Sequence, residues 1–234
     1  MSFTRHAACK LSYVLFSMPR SGSTTLCRDL NDRGQHCLYE LFNFGKNNNG
    51  FKWGSALNTS AASARAEPTR YIERVLASSN FSHPNASVPC RVGFKLFPGH
   101  AMQPEVAATM ATTCIILRRQ NTTAQYLSWK RALLLGGPCW GTDPPRQLHC
   151  RGRSVSIGAD FGNFEEFYAR WYSKVAQACA ANAVLQLSTE AYLSGRPWPL
   201  DRWLNPHASA PTRSSTASRG SEVLAAPSQL AGAA

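Results

Sequence analysis

An apolar run at Tyr13, Val14, Leu15 and Phe16 stops at Pro19, and the small-residue loop Arg20-Ser21-Gly22-Ser23-Thr24-Thr25 then opens a helical pattern reaching Leu30. No other stretch constrains the chain as strongly. A strand that turns tightly into a helix aims successive backbone N–H groups, and the positive end of the helix dipole, at one spot. Gly22 lets the backbone approach whatever sits there, and Arg20 adds a forked, permanently charged donor set. Such a loop suits a phosphate or a sulfate. The plain alternative is an ordinary strand–turn–helix whose serines and threonines cap the helix.

Two common oxyanion loops do not fit this junction. The Walker A pattern needs a Gly-Lys pair in the loop, where this chain has Pro19-Arg20 and then Gly22 between serines. The dinucleotide fingerprint GxGxxG is absent for the same reason.

The Pro19–Thr25 string resembles the 5′-phosphosulfate loop of sulfotransferases that use 3′-phosphoadenosine 5′-phosphosulfate (PAPS), and is closest to the trehalose- and nodulation-factor-type carbohydrate sulfotransferases. Further segments of that family recur in order. Glu40-Leu41-Phe42-Asn43 looks like the acidic segment after the first helix. Val92 to Phe97, followed by His100, looks like the second inner strand and its exit. Leu117-Arg118-Arg119-Gln120-Asn121, running on through Gln125 to Ser128, looks like the 3′-phosphate segment. The resemblance spans Tyr13 to Leu193. It implies a P-loop-type α/β fold: a three-layer sandwich with a central parallel sheet of about five strands flanked by helices.

The resemblance also implies roles. Arg20, with the backbone of Ser21, Gly22, Ser23, Thr24 and Thr25, would hold the 5′-phosphate and the transferring sulfuryl group. Glu40 would take the acceptor proton, and its apolar neighbours Leu38, Tyr39, Leu41 and Phe42 are expected to raise its pKa. His100 is the rival base, since imidazole titrates near neutrality. Lys95 lies in an apolar strand where an unpaired ammonium is costly, so it is expected near the strand's C-terminal end, facing an anion or the acceptor. Arg118 or Arg119, with Ser128, would bind the 3′-phosphate. The family's interval is usually shorter than Arg119 to Ser128, which leaves the choice of arginine open. Tyr126 and Trp129 are either an adenine platform or core aromatics.

The expected activity is sulfuryl transfer from PAPS to a hydroxyl of a carbohydrate or glycolipid, with no metal. A nucleotide-binding module without turnover and a metal-dependent P-loop phosphotransferase are the alternatives. In 234 residues, 25 Lys+Arg against 13 Asp+Glu give a net charge of +12, which favours anionic partners. The cations are scattered and no nucleic-acid motif occurs, so a phosphate-rich ligand suffices to explain them and nucleic acid is not expected. No apolar run approaches bilayer length, so no transmembrane segment is expected. The compartment stays open between cytoplasm and secretory lumen.

One domain over residues 1–204 is expected, with 136–158 as a loop or insertion. Residues 205–234 read as a disordered or truncated tail, because Ala, Ser, Pro, Gly and Arg dominate without apolar period. Lys46–Ala66 reads as a loop or mobile cover, and Ser78–Pro89 as a polar connection. Helices are expected at Glu67–Ala77, Pro104–Met110, Asn121–Leu135 (capped by Asn121), Asn163–Ala181 and Thr189–Leu193, and inner strands at Arg91–Phe97, Thr113–Leu117 and Ala183–Leu187. Among the eight cysteines, Cys27, Cys114 and Cys179 fall in apolar patterns and read as buried free thiols, while Cys139 and Cys150 read as a disulfide pair.

Overall fold

The computed structural model describes residues 9–46, 48–79, 81, 90–135, 154–194 and 199–204. Five parallel strands form one sheet: β1 (Lys10–Phe16), β2 (His36–Cys37), β3 (Arg91–Leu96), β4 (Thr113–Arg118) and β5 (Ala183–Ser188), in the order β2-β3-β1-β4-β5. The helices are α1 (Ser23–Asp32), α2 (Asn49–Ala56), α3 (Ala61–Ala66), α4 (Pro68–Ala77), α5 (Pro104–Met110), α6 (Thr122–Leu135), α7 (Phe161–Ala178), α8 (Thr189–Leu193) and α9 (Pro199–Leu204). The chain is thus an α/β sandwich, as its alternating strand and helix patterns predict.

Burial of both sheet faces explains why the inner strands read as continuous apolar runs. Side chains alternate along β1. Tyr13 and Leu15 pack with Leu26, Cys27 and Leu30 of α1 and Leu200 and Leu204 of α9. Val14 and Phe16 pack with Ile72 and Val75 of α4, Ala107 of α5, Tyr126 of α6 and Tyr172 and Val175 of α7. The connection from β1 through α1 leads past β3 to β2, whereas α5 leads from β3 past β1 to β4. Connections therefore diverge beside β1, and in such sheets ligands bind at the C-terminal strand ends where they do so.

A bulge at Ser12 shifts the β1–β3 register, so that Tyr13 stands opposite Gly93. The fully buried Tyr13 ring lies flat over that glycine: a Cβ on Gly93 would come within 2.3 Å of ring carbons. Glycine is required here because an aromatic ring fills the space beside it.

Two expectations are corrected. Lys46–Ala66 is not a loop but carries α2 and α3. Its small residues permit close backbone approach, since a Cβ on Gly50 would meet Leu41 O at 2.6 Å and one on Gly54 would meet Thr59 O at 2.6 Å. Cys27, Cys114 and Cys179 are not free thiols. Cys27 pairs with Cys37 and Cys114 with Cys179, joining α1 to β2 and β4 to the end of α7, and a third disulfide joins Cys9 to Cys90. The Cys139–Cys150 pair, most of the 136–158 segment, most of Ser78–Pro89 and the 205–234 tail lie outside the described residues.

Gly93→Ala is expected to destabilise the chain by about 2 kcal/mol through overpacking against Tyr13. Urea unfolding checks this, and an unchanged midpoint would contradict the ring-on-glycine packing.

Candidate functional site

The loop that leaves β1 folds back on itself. The Ser21 N–H donates to the Met18 carbonyl at 3.3 Å, and both Arg20 (φ 67°) and Gly22 (φ 82°) take the left-handed conformation. For an arginine that conformation is uncommon and mildly strained. Gly22 is the N-cap of α1 and offers no side chain to the first turn. Leu26 N–H reaches Gly22 O at 3.1 Å, while helix geometry leaves the N–H groups of Ser23, Thr24 and Thr25 without an intrahelical acceptor.

Neighbouring loops brace this turn. Gln125 Nε2 donates to Pro19 O at 2.8 Å, Arg119 Nη1 donates to Arg20 O at 3.4 Å, and Arg20 Nε donates to Ser128 Oγ at 3.0 Å. The Thr189 hydroxyl lies between the carbonyls of Ser21 and Arg118, spacing the loops after β1 and β4 by a single side chain. Burial, and then the charges of Arg119 and Arg131, push the Arg20 guanidinium below its ordinary pKa. Three like charges are thus gathered beside a bare helix N-terminus.

The two candidate arginines are separated by the fold. Arg119 reaches the Arg20 backbone, and its Nε lies 4.0 Å from Glu190. Arg118 instead stacks its guanidinium 4.5 Å over the Tyr172 ring, with Nε buried and without a hydrogen-bond partner. The N-terminus of α6 is already served: Glu190 accepts from Gln120 and Asn121 N–H, and Asn121 Oδ1 accepts from Ala124 N–H at 2.8 Å. Tyr126 is fully buried and packs against Phe161 and Phe164, so it belongs to the core.

Lys95 links this loop to the third strand. Its side chain is 1% exposed, and its ammonium donates to Thr24 Oγ1 at 3.0 Å and lies 3.2 Å from Glu40 Oε1. Glu40, 26% exposed, also accepts from Asn43 Nδ2 at 2.8 Å. Burial pushes the Glu40 carboxyl up, but Lys95, Asn43 and His100 together outweigh it and hold Glu40 below its ordinary value. The expected rise is therefore corrected: the cation beside Glu40 overrides its apolar neighbours, and the carboxylate is ionised. His100 Nδ1 accepts from Phe97 N–H at 3.2 Å, which puts the neutral ring's proton on Nε2, 3.9 Å from Glu40 Oε2. Burial lowers the His100 pKa to about 4, so the ring is neutral at pH 7. His100 thus turns an N–H rather than a lone pair toward Glu40, beyond hydrogen-bond distance.

Arg20, Ser21, Gly22, Ser23, Thr24, Thr25, Glu40, Lys95, His100, Arg119 and Ser128 are thus gathered at one sheet edge, and Arg118 alone of the expected set is turned toward α7. Thr189, Glu190 and Arg131 were not foreseen. The signal for Thr189 was its place just past the end of the fifth strand, the edge where the loop of β1 also opens. No known protein-family profile matches the chain, and no curated protein matches it.

His100 makes stability depend on pH. With a folded pKa of about 4 against an ordinary 6.5, its contribution is complete above pH 6.5 and lost as pH falls toward 4, amounting to roughly 3 kcal/mol. Glu40, also lowered, acts in the same direction at more acid pH. His100→Asn keeps an acceptor for Phe97 N–H and removes this titration, so its melting temperature should fall less steeply from pH 6.5 to 4 than that of the wild type. Parallel slopes would contradict a buried neutral imidazole.

Proposed function

We propose that the chain transfers a sulfuryl group from PAPS to a hydroxyl of a carbohydrate or glycolipid acceptor. The observation that carries this reading is the uncapped first turn of α1, beside Arg20, Arg119 and Arg131 and joined through Lys95 to the ionised Glu40. An oxyanion site and a carboxylate proton acceptor, linked by one cation, are what transfer from a phosphosulfate needs. The donor set fits the anion: backbone amides, a guanidinium and hydroxyls face it, and the Ser21 hydroxyl is buried without a hydrogen-bond partner.

Bound there, PAPS supplies the electrophilic sulfur and a phosphate leaving group. The amides of the α1 first turn and the Arg20 guanidinium hold the 5′-phosphate and offset the charge that develops on it as the S–O bond breaks. Glu40 accepts the proton of the acceptor hydroxyl as its oxygen bonds to sulfur. Lys95 fixes the Glu40 carboxylate against Thr24, so the base and the anion loop keep one spacing. Arg119 and Ser128, both in contact with Arg20, are the residues placed to reach a second phosphate.

The lowered basicity of Glu40 favours one further reading, a module that binds the nucleotide without turning it over. At 100 times its dissociation constant, 3′,5′-diphosphoadenosine should stabilise the wild type by about 2.7 kcal/mol, read as a rise in melting temperature. Arg20→Ala should abolish that rise, and its survival would overturn the assignment of the loop. Glu40→Gln should keep the rise and lose roughly 100-fold or more in sulfate incorporation across an acceptor panel. Binding with no incorporation by the wild type would select the inactive module.

A further inference from the structure

At the opposite edge of the sheet, three residues distant in sequence converge. Cys9 precedes β1, Cys90 precedes β3 and His36 opens β2, and the parallel registers Lys10↔Arg91 and His36↔Val92 bring them together. Two sulfurs and an imidazole nitrogen lie within 4.8 Å of one another. Cys9 and Cys90 are joined as a disulfide. All three face the α4 side of the sheet, where Cys9, Cys90 and Phe81 share the apolar cluster and the Phe81 ring lies 4.9 Å from His36. The neighbouring cation points elsewhere: the Arg91 guanidinium lies 4.6 Å over Trp203, on the α9 side, and donates to Leu204 O at 3.4 Å.

We propose that Cys9, Cys90 and His36 bind a soft divalent cation of the zinc type when the Cys9–Cys90 bond is reduced, so that this edge is closed by either a disulfide or a metal. Two thiolates and an imidazole with one water make up a tetrahedral zinc shell, and thiolate ligands select zinc over harder cations. Reduction by a phosphine balances: phosphorus passes an electron pair to the S–S bond, water supplies the oxygen of the phosphine oxide, and its two protons end on the Cys9 and Cys90 thiols. The cation then displaces those protons to solvent as the thiolates bind it. Closed by metal, the edge would also hold the His36 side chain, which the Cys9–Cys90 bond does not engage.

Cobalt(II) is the probe, titrated into the full chain after phosphine reduction and then displaced by zinc. The wild type should take up one equivalent with a thiolate-to-cobalt charge-transfer band in the near ultraviolet, and zinc should raise its melting temperature. Cys9→Ser/Cys90→Ser should abolish the band. His36→Gln keeps both thiols and should weaken binding at least about tenfold, as loss of even an outer-shell partner commonly does. The proposal is overturned if the reduced wild type shows no band, if the double variant keeps it, if His36→Gln binds as tightly as the wild type, or if the oxidised chain binds equally well.

Discussion

A buried ammonium governs the architecture of the candidate site. Lys95 sits in the middle strands of a sheet covered on both faces, where an unpaired charge is destabilising by several kcal/mol. Burial alone pulls its pKa down, and Glu40 opposes that pull. The chain after β2 must therefore bring a carboxylate to the exit of β3. Lys95 N–H donates to Tyr39 O at 2.7 Å, and Gly50 N–H to Glu40 O at 3.1 Å, so the backbone on both sides of the carboxylate is held as well. Because Lys95 also donates to Thr24, the pair sets the distance from the Glu40 carboxylate to the first turn of α1.

The same pairing fixes the charge carried by Glu40. A carboxylate beside a cation is ionised and weakly basic, and the proposed transfer would therefore need deprotonation concerted with attack rather than prior removal of the proton. A neutral His100, its Nδ1 engaged by the Phe97 amide, sits beside Glu40 without adding a buried charge. Arg20 lies near two further cations: its pKa is lowered first by burial and then by the charges of Arg119 and Arg131.

The inner strands and the β1–α1 turn were legible because burial of both faces writes continuous apolar runs, and because Pro19 and Gly22 mark the bend. Helices α2 and α3 were not. In α2, Gly50 and Gly54 pack against backbone at Leu41 O and Thr59 O, and α3 buries only Ala64, which leaves no apolar stripe to read. The disulfides were hidden for a different reason: Cys9 and Cys90 lie 81 residues apart, and Cys114 and Cys179 lie 65 apart. The β1–β3 pairing brings the first two together, and the packing of α7 on the sheet brings the second two together. In the site, Glu40 was legible as a candidate, but the sign of its pKa shift depended on Lys95, 55 positions away, approaching to 3.2 Å. Likewise the separation of Arg118 from Arg119 follows from the Tyr172 ring of α7, which no local pattern announces.

The most direct measurement is a crystal structure of the chain with 3′,5′-diphosphoadenosine. The 5′-phosphate should lie on the amides of Ser23, Thr24 and Thr25, within hydrogen-bond reach of the Arg20 guanidinium. A nucleotide seated anywhere else, with that first turn still bare, would contradict that placement.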